Sequence, residues 1–530
     1  MAGGREPDQP SDRETETTTP PTLDLLVLTF NCAAKLINVP VFAGHLRTAL
    51  GRNAAELPEV VVLSLQEVAP LSYAFIGDYF LRPYVDRFEE ALNLAASLQL
   101  RNGRDDDDDD GASAAASSPA SSPASSPASS PASSPASPPR RGEEKPFVLI
   151  RTLNVGYTAI MMFARDPTRL SGIQQAEVGF GAAEMGNKGA VGLRALYEVG
   201  GESTELTFVA THLAAMEWNL PRRNANWGAI MRGLTFENPE EVLSRMRRDA
   251  ESRGAGASSS EEGDAPEHAR LLRDEHRQQD LRLQQQLHGL SVFKPTSHLF
   301  VAGDLNYRIS TTSPAPGSAF PNLDPASENH YANFFHLDQL TRERLAGRTL
   351  HGMSEHPVGF PPTYKYVADA RAPPPEGAAA GPVDVVEWEF ASHRYPGWTD
   401  RILFLELPSW VGGRMKVREY DALPVIRTSD HRPVFLRVDV PLVAPAELAP
   451  PAAVREAAAE AASPGGNGAD PRVRLPVEID PEAWDRRVAA RRREIAAGWT
   501  MFLWSTRQGA CILGALLAAS AGGYWLYRSA

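Results

Sequence analysis

Apolar residues gather along this chain in short runs that read as buried strands and break off in polar side chains. TLDLLVLTFN (22–31), EVVVLSLQE (59–67), FVLIRTLNVGYTAIMMFAR (147–165), GAVGLRALYEV (189–199), TELTFVATHLAA (204–215), HLFVAGDLNYRI (298–309), TDRILFLEL (399–407), MKVREYDAL (415–423) and DHRPVFLRVDV (430–440) have this form. Helical spacing of apolar residues is best over Pro83–Leu100, Arg223–Leu234, Ala269–Leu290 and Asn333–Leu345. Strands with interspersed helices and no regular βαβ alternation predict an α/β (α+β) fold. Two mixed sheets should pack face to face with helices outside.

The strand endings share a chemistry. Asn31 follows LLVLTF, Gln66 and Glu67 follow VVVLSL, His212 follows TFVAT, and Asp304 and Asn306 follow LFVAG. Residues two apart in an extended chain share a face, which puts Asp304, Asn306 and Arg308 on one side. One such ending is ordinary for a strand reaching water. Several, each with a metal-ligating or acid/base side chain, predict one site at a common edge of the sheets, as phosphate hydrolysis needs.

Composition limits the partners. The formal net charge of −13 argues against a nucleic-acid-binding surface, because phosphate backbones reward Lys and Arg. Cys32 and Cys511 are the only cysteines, so no disulfide framework is expected. The polar N-terminus lacks the apolar centre of a signal peptide, which predicts a cytosolic catalytic part and a disordered tail over 1–21. An acidic run with SSPA repeats (101–145) and two further Ala-, Ser-, Pro- or Gly-rich breaks (250–267 and 371–384) are expected to be disordered insertions within one catalytic domain, 22–440.

The motifs narrow the reading. In order the chain carries TFN (29–31), LQE (65–67), MGNKGAV (185–191), THLAA (211–215), RRN (222–224), GDLNYRI (303–309), PPTYKY (361–366), WTDRIL (398–403) and SDHRPV (429–434). This series resembles the inositol polyphosphate 5-phosphatases of the DNase I-like endonuclease, exonuclease and phosphatase superfamily. The resemblance implies a DNase I-like four-layer sandwich and a Mg2+-dependent phosphatase that takes the 5-phosphate from phosphatidylinositol 4,5-bisphosphate. It also implies roles. Glu67 would lead the Mg2+ ligands with Asn31 in support, and Asp430 would be a further metal or polar ligand. Asp304 would orient and deprotonate the attacking water, with the Asp400–His431 pair as the alternative base, and Asn306 would hold the water in line. His212 and His431 would donate to the phosphoryl group, with Asp400 fixing the His431 tautomer. Lys188, Arg223, Asn224, Tyr364 and Lys365 would hold substrate. Family members often carry a Lys where Ser392 and His393 stand, which leaves Arg394 as the cation of that run. Arg401 is divided between a site role and a structural ion pair, and Arg308 is expected in a structural ion pair.

Beyond Val440 a Pro-, Ala- and Gly-rich linker (441–478) precedes DPEAWDRRVAARRREIAAGW (480–499). On a helix Trp484, Val488, Ile495 and Trp499 cluster away from Arg486, Arg487, Arg492 and Arg493, which suits an anionic membrane surface; packing on the catalytic domain is the alternative. The uncharged stretch 509–527 is long enough to span roughly 28 Å as a helix. It is expected to be a transmembrane tail anchor. That layout resembles fungal 5-phosphatases tethered to the endoplasmic reticulum, implying a phosphoinositide lipid substrate reached from the membrane; no protein partner is implied. Rival readings are a phosphatase of soluble inositol polyphosphates, an abasic-site endonuclease, which the acidic balance and TYKY oppose, and a non-catalytic lipid-binding tether.

Overall fold

The computed structural model describes residues 21–109, 145–256, 281–368, 386–460 and 470–530. The expected tail and most of the three expected insertions lie outside the described residues. Order extends further into the first two insertions than composition implied, because helices reach Asp109 and Gly256. Extending an existing helix is easier than nucleating one.

Strands buried on both faces build two sheets. One has the order β12 (Lys416–Ala422), β13 (Val434–Pro441), β1 (Thr22–Asn31), β2 (Val60–Gln66), β4 (Thr158–Ala164), β3 (Val148–Val155). The other runs β11 (Asp400–Phe404), β8 (His298–Asp304), β7 (Glu202–His212), β6 (Gly189–Val199), β5 (Leu170–Gly179), and a ribbon pairs β9 (Tyr366–Ala368) with β10 (Trp388–Phe390). Leu25 and Val27 of β1 join Phe208, Ala210, Phe300 and Ala302 of the opposite sheet in the central core. Their neighbours Leu26, Leu28 and Phe30 face outward onto α1 (Val39–Gly51) and α3 (Asp78–Asp109). On the far side Val209, Leu299 and Val301 pack against Trp227, Ile230 and Met231 of α4 (Leu220–Gly233). The result is the expected four-layer sandwich of two mixed sheets flanked by helices.

Register then delivers the chemistry to one edge. β1 and β2 are parallel with Asn31 beside Gln66, and β7 and β8 are parallel with His212 beside Asp304. Antiparallel β11 sets Asp400 opposite Asp304.

The C-terminal region differs from a simple linker and free amphipathic helix. Pro471 O accepts from His288 Nε2 at 2.8 Å, Arg472 Nη2 donates to Leu405 O and Glu406 O, and Asp480 N donates to Arg232 O. These bonds lash the chain across the domain. The following helix, Ala483–Ser505, docks on α2 (Leu71–Ile76), burying Ala483, Arg487, Ala490, Glu494, Gly498 and Phe502. Arg487, expected on a solvent or lipid face, lies in that contact because Glu494 and Glu177 pair with it. Trp484, Val488, Ile495 and Trp499 face outward, each 37–43% exposed. The terminal helix, Arg507–Ser529, is long and apolar enough to cross a membrane, with mean hydropathy 1.5.

Candidate active site

Asp304 is the hub. Its Oδ2 accepts from Asn31 Nδ2 at 3.0 Å and stands 3.2 Å from His212 Nε2 and 3.9 Å from His431 Nε2, while Oδ1 accepts from Asn306 N at 3.1 Å. The strand stops at Asp304, so the alternation expected through Arg308 does not hold. Asn306 takes φ 58°, and both Leu305 N and Asn306 N donate to Thr399 O. A turn, rather than a shared strand face, brings Asp304, Asn306 and Arg308 together. Glu67, one residue past β2, also has left-handed φ, at 47°. Two non-glycine residues in this sparsely populated region at one sheet edge mark strain held by the surrounding packing.

A second chain of bonds fixes His431. Asp400 Oδ2 accepts from His431 Nδ1 at 2.9 Å and from the hydroxyls of Thr363 and Thr399 at 2.7 and 2.8 Å. With Nδ1 occupied, Nε2 is turned toward Asp304. Burial alone would discharge this imidazole, but Asp400 and Asp304 push it up to about 9. Burial likewise favours a neutral Asp304, yet His431, His212 and Lys188 hold its carboxyl below the usual range. His212 goes the other way, pushed down by burial and then by Lys188. Tyr157 shields this histidine, ring centroids 5.9 Å apart. Ser429 braces the same edge by donating from Oγ to Asn31 O at 2.6 Å.

The expected substrate groups separate into two sets. Lys188 Nζ touches His212 Nε2, and burial pushes its pKa down to about 8. Tyr364 lies on His431 with ring centroids 4.4 Å apart, and Arg394 Nη1 donates to its hydroxyl at 3.1 Å. Lys365 pairs with Asp430 at 2.7 Å. Asp430, expected among the metal ligands, is drawn to that ammonium and joins no cluster of ligand atoms among the described residues. Arg223, expected to hold substrate, is fully buried; its guanidinium donates to Ala214 O, Met216 O, Glu217 O and Gln339 Oε1. Asn224 is engaged with Glu343 and Tyr307. Arg223 braces the loop after β7, and Asn224 ties α4 to Tyr307 and Glu343. Arg401 is structural, buried between Asp338 and Glu355.

Arg308 was the residue undervalued by sequence. No carboxylate pairs with it among the described residues; it donates to Asn306, lies over the Tyr364 ring at 4.5 Å, and leaves a buried Nη1 without a partner. Position in GDLNYRI was its only signal. Thr363 and Thr399 were equally visible within PPTYKY and WTDRIL, but their bond to Asp400 requires the fold.

The donors fit a hard divalent ion. Glu67 stands one residue past β2 at the same edge, and its charge and that of Asp304 both favour the charged forms of Lys188 and His212; among the described residues Glu67 joins no cluster of ligand atoms. Magnesium takes one or two carboxylates plus phosphate oxygens and water. Asp304, Asp400 and His431 also offer ligand atoms within 4.8 Å of one another. The hydrogen bond between Asp400 and His431, with the imidazole's other nitrogen 3.9 Å from Asp304, suits proton handling better than a cation that prefers oxygen. Asn31 Oδ1 already accepts from Ala33 N at 3.1 Å, leaving one lone pair for a supporting contact.

Comparison with known proteins matches residues 140–437 to the model of Endonuclease/Exonuclease/phosphatase family 2. Inositol-1,4,5-trisphosphate 5-phosphatase 1 of Schizosaccharomyces pombe is 27% identical over 305 residues, 56% of this chain and 20% of that protein. Synaptojanin of Caenorhabditis elegans is 26% identical over 298 residues, 55% of this chain and 19% of that protein. The match therefore spans well under two thirds of those relatives' own length. A solved inositol polyphosphate 5-phosphatase domain of SPsynaptojanin, in complex with inositol (1,4)-bisphosphate and calcium ion, is 20% identical with a TM-score of 0.47, covering 79% of this chain and 84% of its own. The resemblance drawn from the motifs agrees with the relatives found.

Proposed function

The chain belongs to Endonuclease/Exonuclease/phosphatase family 2 and has its DNase I-like fold, and from that premise we propose that it is a Mg2+-dependent phosphatase removing the 5-phosphate of phosphatidylinositol 4,5-bisphosphate at a membrane surface. The observation that carries this reading is the buried Asp304–His431–Asp400 chain rimmed by Lys188, Arg308, Lys365 and Arg394. Nuclease chemistry needs no such crowd of cations at the reacting end, and the net charge of −13 opposes a nucleic-acid track.

In this reading Glu67, with Asn31 in support, would hold a magnesium ion, which would neutralise phosphate charge. Asp304 orients the attacking water and accepts its proton, and Asn306 keeps that water in line. His431, charged and fixed through Nδ1 by Asp400, donates from Nε2 to the phosphoryl oxygens as charge moves onto them. Lys188 and His212 answer the same oxygens from the other side. Arg394, Tyr364 and Lys365 remain for the neighbouring phosphate, while exposed Ser392 and His393 offer no ammonium there. The outward stripe on Ala483–Ser505 and the candidate span Arg507–Ser529 support a lipid substrate and a membrane address, with the endoplasmic reticulum as the proposed membrane.

The S. pombe relative, inositol-1,4,5-trisphosphate 5-phosphatase 1, favours a second reading, a soluble inositol polyphosphate substrate. Phosphate release by the full chain from phosphatidylinositol 4,5-bisphosphate vesicles and from soluble inositol 1,4,5-trisphosphate separates the two. The lipid should be turned over faster, chelation should stop both reactions, and Mg2+ should restore them. Asp304→Asn should lower turnover by about 100-fold or more with an unchanged circular dichroism spectrum. Near-normal turnover in that variant would falsify the assignment.

A further inference from the structure

The docked helix buries charge against the domain. Glu494 is completely buried, and an unpaired carboxylate there would be costly. Arg487 grips it through two bonds of 2.5 and 3.0 Å, and Arg491 adds a third at 3.3 Å. The remaining partner of Glu494 is remote in sequence: Oε1 accepts from the backbone N–H of Gly186 at 2.8 Å. Gly186 lies two residues before Lys188, in the loop between β5 and β6.

That loop has little structure of its own. What it has is one 3-10 turn at Ala182–Glu184, with Ala183 and Glu184 in left-handed conformations, Gly181 N donating to Met185 O at 3.0 Å and Phe180 N to Lys188 O across its neck at 2.9 Å. Its inner side presses so closely on the β3–β4 turn that a Cβ at Gly186 would lie 2.6 Å from Gly156 N. Its outer side is held by the docked helix at three points: Glu494 on Gly186 N, Arg493 on Ala183 O at 3.0 Å, and Arg486 beside Glu184 at 3.4 Å. Arg487 also reaches Glu177 on β5, anchoring the helix to the strand that feeds the loop.

We infer that Glu494 is a positioning residue for the reaction: through the Gly186 N–H it fixes the loop that presents Lys188 to the substrate phosphate. The inference deepens the phosphatase reading and rests on it. A buried ion pair contributes little net stability compared with a well-packed apolar contact, so its use here is to set register. The helix outside the sandwich thereby completes the substrate side of the site.

The test uses the full chain in lipid nanodiscs. Glu494→Asp keeps the charge for Arg487 but is one methylene short of Gly186, Glu494→Gln keeps the acceptor oxygen, and Glu494→Ala removes both. Glu494→Asp and Glu494→Ala should lower kcat/KM for phosphate release by roughly 10- to 100-fold, as small misplacements of a reacting group do, and Glu494→Gln should recover most of the loss. In a Lys188→Ala background the Glu494→Asp substitution should cost less than threefold further, because the residue it positions is gone. Hydrogen exchange should show protection of the 180–188 amides lost in Glu494→Asp and kept in Glu494→Gln. Fully multiplicative losses with Lys188→Ala, or unchanged exchange and kinetics in folded Glu494→Asp, would overturn the inference. If Glu494→Ala fails to fold, the Asp and Gln variants decide. If the wild-type chain releases no phosphate from any inositide, the phosphatase reading fails, and the exchange measurement alone tests whether Glu494 orders the loop.

Discussion

Asp304 keeps its charge at 2% exposure because His431, His212 and Lys188 stand around it. The arrangement is costly to any substitution that leaves one partner unmatched, since a buried group without its counterpart retains the full desolvation penalty. Arg308 carries the sharpest expectation at this scale. Its Nε and Nη2 donate to Asn306, and its buried Nη1 has no partner, so that a phosphoryl oxygen would complete its bonding. Arg308→Met should lower kcat/KM by about 100-fold while the thermal midpoint moves little, as judged by phosphate release and calorimetry on one preparation. A large drop in midpoint with normal turnover would return Arg308 to a structural role. The same logic separates Arg308 from Arg401, whose guanidinium is already saturated by Asp338 and Glu355.

Elements whose burial pattern is regular were readable in advance. Thr22–Asn31 and Gly189–Val199 form strands with the bounds their patterns suggested. Strand β5 was not, because it is an edge strand whose central residues face solvent, so LSGIQQAEVG shows no apolar run. Helix α1 also escaped notice, although Asn38 caps it by accepting from Val41 N at 3.3 Å. The helix Ala483–Ser505 was recognised as amphipathic, but its apolar stripe is open and its buried face is built on Arg487 and Glu494. Docking therefore depends on close approach. A Cβ on Gly498 would lie 2.8 Å from Phe75 Cβ and 3.0 Å from Ile76 N, and backbone cannot give way there. Gly498→Val should weaken docking by about 1–3 kcal/mol. Limited proteolysis should then cut between 470 and 505 several times faster; an unchanged cleavage rate would show that the contact contributes nothing in solution.

Across the whole molecule, buried histidines remote from the site add to the loss of stability in acid. Burial pushes His298 down to about 3 and His288 down to about 4, from an ordinary 6.5. As pH falls below 6.5 the unfolded chain takes up these protons before the folded chain does, so folding stability drops progressively through pH 4 toward 3. His298→Leu should flatten the fall in thermal midpoint measured from pH 7 to pH 4.5. An equally steep fall in that variant would rule out His298 as a cause.

What the sequence alone determined was the kind of chemistry and the layers that carry it: alternating apolar positions imply two faces per strand, and carboxylates, imidazoles and amides at strand ends imply a common edge. The family resemblance of the motifs, not residue type alone, implied the oxygen donors and the Asp400–His431 pairing, and His431 Nδ1 lies 2.9 Å from Asp400 Oδ2. Tertiary structure alone decided which cations face that edge. Arg223 and Arg308 are both arginines in family motifs, yet the guanidinium of one donates to three main-chain carbonyls and to Gln339, while the other donates only to Asn306 and lies over the Tyr364 ring. The difference is set by contacts between residues distant in sequence, as is the bond from Glu494 to Gly186, which spans 308 positions. No local pattern encodes such a pairing, because it exists only when packing brings two surfaces to hydrogen-bonding distance.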